Sequence, residues 1–240
     1  MLALNATTLL TAWEQGVSQH PLQRAMTLLA LAWPQKTVDE WTMVSMGERD
    51  RYLLRLREEL FGPKLEAIAS CPKCGTRLEL TFRTNDLQTQ VAADSEQLRV
   101  KSSGYEIDYR LPTSADLLAV ADNPAQAREL LLERCVEARS KGIAVPATSL
   151  PDRVVKLLGE RMAQADPQAE IQIALECPAC SHHWSTIFDI LSYLWSEIED
   201  WAQRILHDVH LLASAYGWSE RDILAMSATR RRLYLDVVGA

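Results

Sequence analysis

Two cysteine pairs of one format constrain this chain more than any other feature: CPKC at Cys71 and Cys74, and CPAC at Cys177 and Cys180. In each pair two residues separate the thiols, a proline follows the first cysteine, and a short turn sequence follows the second, giving CPKCG and CPACS. A tight knuckle of this kind turns its two thiolates toward one point, and two knuckles complete a tetrahedral shell. Alternating segments flank both, with TRLELTFRT at 76–84 after the first, EIQIALE before the second and HWSTIF after it. That alternation is the pattern of half-buried strands. The arrangement reads as a zinc ribbon in which Cys71, Cys74, Cys177 and Cys180 hold one structural Zn2+ per chain. Four thiolates leave no open position for water or substrate.

The departure from a simple ribbon is the separation. Cys177 lies 103 positions after Cys74, against roughly fifteen to twenty residues between the pairs of a short ribbon. A whole module must therefore be inserted between the knuckles. Closing so long a loop costs only logarithmically in its length, so the insertion is no thermodynamic obstacle. The redox alternative needs a single CxxC at a helix start with a depressed thiol pKa, and it leaves the second pair unexplained. Five cysteines, an odd number without a secretory leader, also argue against a disulfide framework. The fifth, Cys135, sits in LLERCVEARS at helical spacing from Leu131 and Leu132 and reads as a buried apolar residue. His182 and His183 compete as ligands, but four thiolates are already present, so they read as supporting or surface residues. His207 and His210, three apart on a helical stretch, read as helix-face residues.

The rest of the chain is mostly helical. Leu9, Leu10, Trp13 and Val17, then Leu22, Met26, Leu29, Ala30 and Trp33, recur at helical spacing on either side of Pro21. Ser45 followed by Glu48 fits a capping box, and Gly62 with Pro63 supplies a stop, which predicts a helix over 46–61. Its expected apolar face is Tyr52, Leu53, Leu56 and Leu60, with Arg49, Arg51, Arg55, Arg57, Glu58 and Glu59 solvated. LRVKSSGYEIDYRLP reads as a β-hairpin, and 113–165 as helix broken at Asn123–Pro124 and by the loop KGIAVPATSLPD. DILSYLWSEIEDWAQRILHDVHLLASAYG carries one apolar face from Leu191 to Tyr216, closed by Gly217, and Ser219 and Ser227 cap two short helices after it.

The expected fold class is α+β and mostly helical, with a split zinc-ribbon-like β element. Its expected segments are an N-terminal helical region at 1–65, ribbon halves at 66–90 and 168–190, an inserted hairpin-plus-helices module at 91–167, and a C-terminal long helix with short helices at 190–240. A formal net charge of −7 lacks the positive field that a sequence-independent nucleic-acid binder needs. No apolar run is long enough to span a membrane, and the N-terminus reads as lacking a signal peptide, which points to the cytoplasm. No phosphate loop, nucleophile elbow or zincin motif is present, so no small-molecule substrate or enzymatic role is indicated.

Several segments together, TAWEQG with PLQRAMTLLA, LREELFGPKLEAIASCPKCGTRLELTF, YRLPTSADLL, LECPACSHHWSTIFDI and AYGWSERDILAMSATRRRLYLDVV, carry a resemblance. The chain resembles the T-even phage baseplate hub assembly chaperone family, as encoded in extracellular contractile injection system gene clusters. That resemblance implies a chaperone that helps hub, spike or other baseplate proteins associate, and it matches residue by residue at the four cysteines. The alternatives are a permanent structural baseplate subunit, a zinc-ribbon nucleic-acid module, which the acidic balance disfavours, and an enzyme built on His182 or His183. Seven tryptophans, three of them Trp195, Trp201 and Trp218, suit protein interfaces as well as cores.

Overall fold

The computed structural model describes residues 4–89 and 98–239. In chain order the elements are α1 (Ala6–Gly16), α2 (Pro21–Ala32), α3 (Val38–Thr42), α4 (Met46–Phe61), β1 (Lys64–Ser70), β2 (Arg77–Arg83), β3 (Arg99–Ser102), β4 (Tyr105–Tyr109) and α5 (Ser114–Val120). There follow α6 (Ala127–Cys135), β5 (Val136–Ser140), β6 (Ile143–Val145), α7 (Asp152–Ala165), β7 (Ile171–Glu176), β8 (His183–Phe188), α8 (Ile190–Tyr216), α9 (Glu220–Leu224) and α10 (Ala228–Val238). The protein is a mostly helical α+β chain with small antiparallel sheets. It divides into two compact units, one of 1–35 with 190–240 and one of 36–189. The expected boundary at 90/91 lies outside the described residues.

The first unit is all helix. The apolar stripe of α8 buries Leu194, Ile198, Ala202, Ile205, Val209 and Leu212, and the last four of these pack with Leu10 of α1, Ile223 and Leu224 of α9 and Leu235 of α10. At 1.5 Å per residue α8 is about 40 Å long, and Gly217 ends it with a positive φ of 67°. The cap of α1 comes from α2. Arg24 donates to the carbonyls of Gly16 (2.7 Å) and Val17 (2.9 Å) while its guanidinium lies 4.5 Å from the Trp195 ring centre. Trp195, Trp201 and Trp218 are each half-buried within this unit. Ser219 and Ser227 cap their helices as the sequence predicts.

The second unit holds the eight strands found among the described residues. Its largest sheet is a four-stranded meander, β3-β4-β5-β6, whose Val100, Ile107, Val136 and Ala138 pack with Val154 and Leu158 of α7. Two of its turns are alike. Ser103–Gly104 and Lys141–Gly142 each place two residues at positive φ between paired strands, the geometry that matches the twist of a two-residue hairpin. The reading of 113–165 as helix and loop is corrected here. The helical spacing of LLERC ends at Cys135, and VEARS then alternates as β5 beside β4, with β6 rising out of the expected loop. The inserted module is thus a sheet with helices. The strand β1 and the short helix α3 are further elements beyond the sequence reading.

The helix α4 also differs in detail from its sequence expectation. Ser45 accepts from the Glu48 amide at 3.2 Å, but the Glu48 carboxylate turns to Lys36, 3.4 Å away, so only half of the capping box forms. A residue 119 positions away completes the cap: Asp166 accepts from the Gly47 amide at 2.8 Å. Arg49 and Arg57 are buried, not solvated, because polar partners meet them inside. Arg49 pairs with Asp50 at 2.6 Å and donates to Ser114, and Arg57 donates to the Gly62 carbonyl. Leu54, rather than Leu60, joins Leu53 and Leu56 on the buried face. A Cβ at Gly47 would stand 1.8 Å from Asp166 Oδ1 and 2.9 Å from the Ala169 amide nitrogen. Gly47→Ala is therefore expected to destabilise the protein by about 1–3 kcal/mol, despite alanine's better helix propensity. Urea unfolding measures this, and an unchanged or raised midpoint would contradict the close approach.

Candidate metal centre

Two hairpins carry the cysteines. The strands β1 and β2 pair in register from Lys64–Arg83 to Ser70–Arg77, and β7 and β8 from Ile171–Phe188 to Glu176–His183. Each closes through a knuckle with the same backbone bonds. The Cys71 amide donates to the Thr76 carbonyl and the Gly75 amide to the Cys71 carbonyl, both at 2.9 Å. In the second knuckle the Cys177 amide donates to the His182 carbonyl at 2.9 Å and the Ser181 amide to the Cys177 carbonyl at 2.8 Å. The residue after each second cysteine has a positive φ, 74° at Gly75 and 53° at Ser181. Serine occupies a conformation there that glycine adopts without strain.

The knuckles bring the four sulfurs Cys71, Cys74, Cys177 and Cys180 within 4.8 Å of one another. Two approaches between the knuckles are close, Cys71 to Cys180 at 3.7 Å and Cys74 to Cys177 at 3.5 Å. Zinc–sulfur bonds of about 2.3 Å in a tetrahedron place sulfurs about 3.8 Å apart, so the cluster fits a four-thiolate metal site. Cys71 and Cys177 are buried, Cys180 is half-buried and Cys74 is exposed. The thiols already differ in acidity. Hydrogen bonds from Thr76 and the neighbouring thiols bring Cys74 down to about 6, while desolvation pushes Cys180 up to about 12. A divalent cation stabilises the thiolate form of its ligands, so such a cluster gains from binding one.

The histidines stand apart from this set. His182 stacks on Trp184 with ring centres 6.0 Å apart, and exposed His183 faces Glu176 across the hairpin at 4.0 Å. His207 and His210 are exposed on α8, and the four cysteines are the one such ligand cluster among the described residues. Cys135 is buried at the end of α6, 3.7 Å from Asp116, and burial pushes its thiol up to about 11.

At the end of the hairpins away from the cysteines, two further contacts join the ribbon halves. Phe82 meets Phe188 edge to face at 5.6 Å. Fully buried Gln168, just before β7, accepts from the Thr89 amide and hydroxyl and donates to the Leu87 carbonyl. Sequence reasoning missed Gln168, because a glutamine after a proline carries no signal of burial. The missed strand β1 did have one, since Leu65, Ala67 and Ala69 alternate with Glu66, Ile68 and Ser70.

A family model described as the T4 bacteriophage base plate protein matches residues 6–195. The chain belongs to the T4 bacteriophage base plate protein family. No match was found among curated proteins or among solved structures. The family match takes in both knuckles, all eight strands and the start of α8. It stops short of YGWSERDIL, so the base plate assignment rests on the cysteine-bearing part of the chain. Membership implies association with other base plate proteins. No helix among the described residues is long and apolar enough to cross a membrane.

Proposed function

We propose that this base plate family member is a non-enzymatic, zinc-stapled assembly factor, a chaperone for hub, spike or other baseplate proteins of a contractile phage tail-like injection system. The observation that carries the reading is the four-cysteine cluster, which ties together two hairpins on either side of a long insertion within the region that matches the family. An isolated two-stranded hairpin is marginal in water. A zinc ion held by Cys71, Cys74, Cys177 and Cys180 supplies a closed tetrahedral thiolate shell that makes the pair of hairpins one rigid element. A closed shell activates no water, which supports a structural metal and a role in binding other proteins.

The chaperone reading, as opposed to a permanent subunit, is supported by the resemblance to hub assembly chaperones and places the protein in the bacterial cytoplasm during assembly. Quantitative mass spectrometry of purified particles against the assembling cell extract tests it. The expected result is a protein abundant in the extract and far below one copy per hub subunit in finished particles. Stoichiometric presence in the particle would overturn the chaperone reading in favour of a permanent baseplate subunit.

A further inference from the structure

The knuckle hairpins are separate two-stranded sheets, so β2 and β7 each keep one edge without a strand partner among the described residues. The strand β2 leaves the first knuckle and β7 enters the second. With the sulfurs clustered at one end and Phe82 against Phe188 at the other, the two strands run in opposite senses between the same two ends. Between them lies a cleft of about 560 Å3. Its walls are unbroken runs, residues 79–82 of β2 on one side and 170–175 on the other. Successive side chains of a strand point to opposite faces, so an unbroken run lines a cleft only along a strand edge. The cleft is therefore bordered by two edges whose outward N–H and C=O groups lack a ladder.

An unpaired edge is the template on which another extended segment adds by main-chain hydrogen bonds. The side chains around the cleft select its composition. Leu80, Phe82, Ile171, Ile173 and Leu175 are apolar, and the charged residues lining it are Glu79, Asp86 and Glu170, with no lysine or arginine. We infer that the β2–β7 cleft is a strand-addition site for an extended segment of a partner protein, about six or seven residues long, that alternates apolar and basic side chains. Its length follows from the 7 residues of β2 and the 6 of β7. The main-chain ladder provides affinity, the apolar positions fill the cleft, and the three carboxylates choose the sign of the charge. Acidic segments have the wrong charge, and residues 90–97 of this chain, with Asp94 and Glu96 and no basic residue, are of that kind. The inference stands apart from the chaperone reading, since the edges can be probed without any base plate protein.

Calorimetric titration of the full chain as purified, with synthetic seven-residue peptides, provides the test. The probe alternates lysine and valine. Its comparators alternate glutamate and valine, or carry N-methyl groups on alternate amides of the lysine peptide. The expected result is saturable binding of the lysine peptide, at least about tenfold tighter than either comparator, with hydrogen-exchange protection gained at 77–83 and 171–176. Glu79→Lys with Glu170→Lys, both at exposed positions, is expected to weaken that binding about tenfold with metal content unchanged, and Glu79→Gln alone by less. Equal affinity for the three peptides, or protection confined to other strands, overturns the inference.

Discussion

Replacing Cys177 by serine is expected to abolish metal binding and to lower the melting temperature by about 10 °C or more. Cys177 is fully buried, its sulfur lies 3.5 Å from that of Cys74, and no fifth thiol among the described residues joins the cluster. A structural zinc contributes on the order of 10 kcal/mol to folding, and what it fastens are two hairpins that depend on each other for burial. Elemental analysis of the purified wild type should give one zinc per chain, and chelation should reproduce the melting of the serine variant. Cys135→Ser is the internal control, because that thiol lies outside the cluster, buried in the packing of the four-stranded sheet; its metal content should equal wild type. A metal-free wild type, or a Cys177→Ser protein that keeps its zinc and its melting point, would sink the shared site. Because thiolates are the ligands, acidification should release the metal and protons should be released when it binds.

Asp116→Ala is expected to cost about 1–3 kcal/mol, because Thr113 loses its buried acceptor while Arg110 and Arg134, each nearly half exposed, can turn to water. The Asp116 carboxylate is 1% exposed and accepts from Arg110 (2.5 and 2.8 Å), from Arg134 (2.8 Å), and from the amide and hydroxyl of Thr113. Through these bonds one side chain joins β4, the start of α5 and the end of α6. Burial opposes its ionisation, but the two guanidinium groups and Thr113 outweigh it and hold the carboxyl well below the usual range. A depressed folded pKa means that this contribution is present above the unfolded value of about 3.9 and is lost as pH falls below it. Asp50 has the opposite sign. Burial raises it to about 6 despite Arg49, so its contribution is present at low pH and is lost as pH rises through about 6. Denaturant unfolding from pH 3 to 7 should show wild-type stability falling below about pH 4, with a shallower fall in Asp116→Ala, which keeps the metal site and the other carboxylates but lacks this one. A loss under about 1 kcal/mol, or the same acid limb in the variant, would refute the network's role.

How much of this was legible depended on whether the signal was local. The long helix α8 was legible because its apolar residues repeat at helical spacing along one continuous stretch. The helix caps at Ser219 and Ser227 were legible because cap and helix are adjacent in sequence. The strand β5 was hidden because LLERC and VEARS run together without a glycine or proline, and only pairing with β4 decides where helix stops. Arg49 and Arg57 read as solvated because charged residues are rarely buried unless paired; Asp50 and the Gly62 carbonyl pair with them locally, and the fold brings Ser114 to Arg49 from 65 positions away.

The sequence by itself determined the candidate ligand set. Two CxxC knuckles bend the backbone locally so that each pair of thiols converges, whatever lies between them. It also determined the mostly helical α+β class, through periodicity and caps. Only the tertiary structure decided that the two knuckles meet, with Cys71 beside Cys180 and Cys74 beside Cys177. It alone decided that Asp166 caps α4 from 119 positions away, that Gln168 closes the far end of the ribbon, and that β2 and β7 have edges around a cleft that no strand among the described residues covers. The physical reason is range. Turns, caps and helix faces are set by residues a few positions apart, whereas the meeting of distant segments depends on burial and hydrogen-bond satisfaction summed over the whole chain.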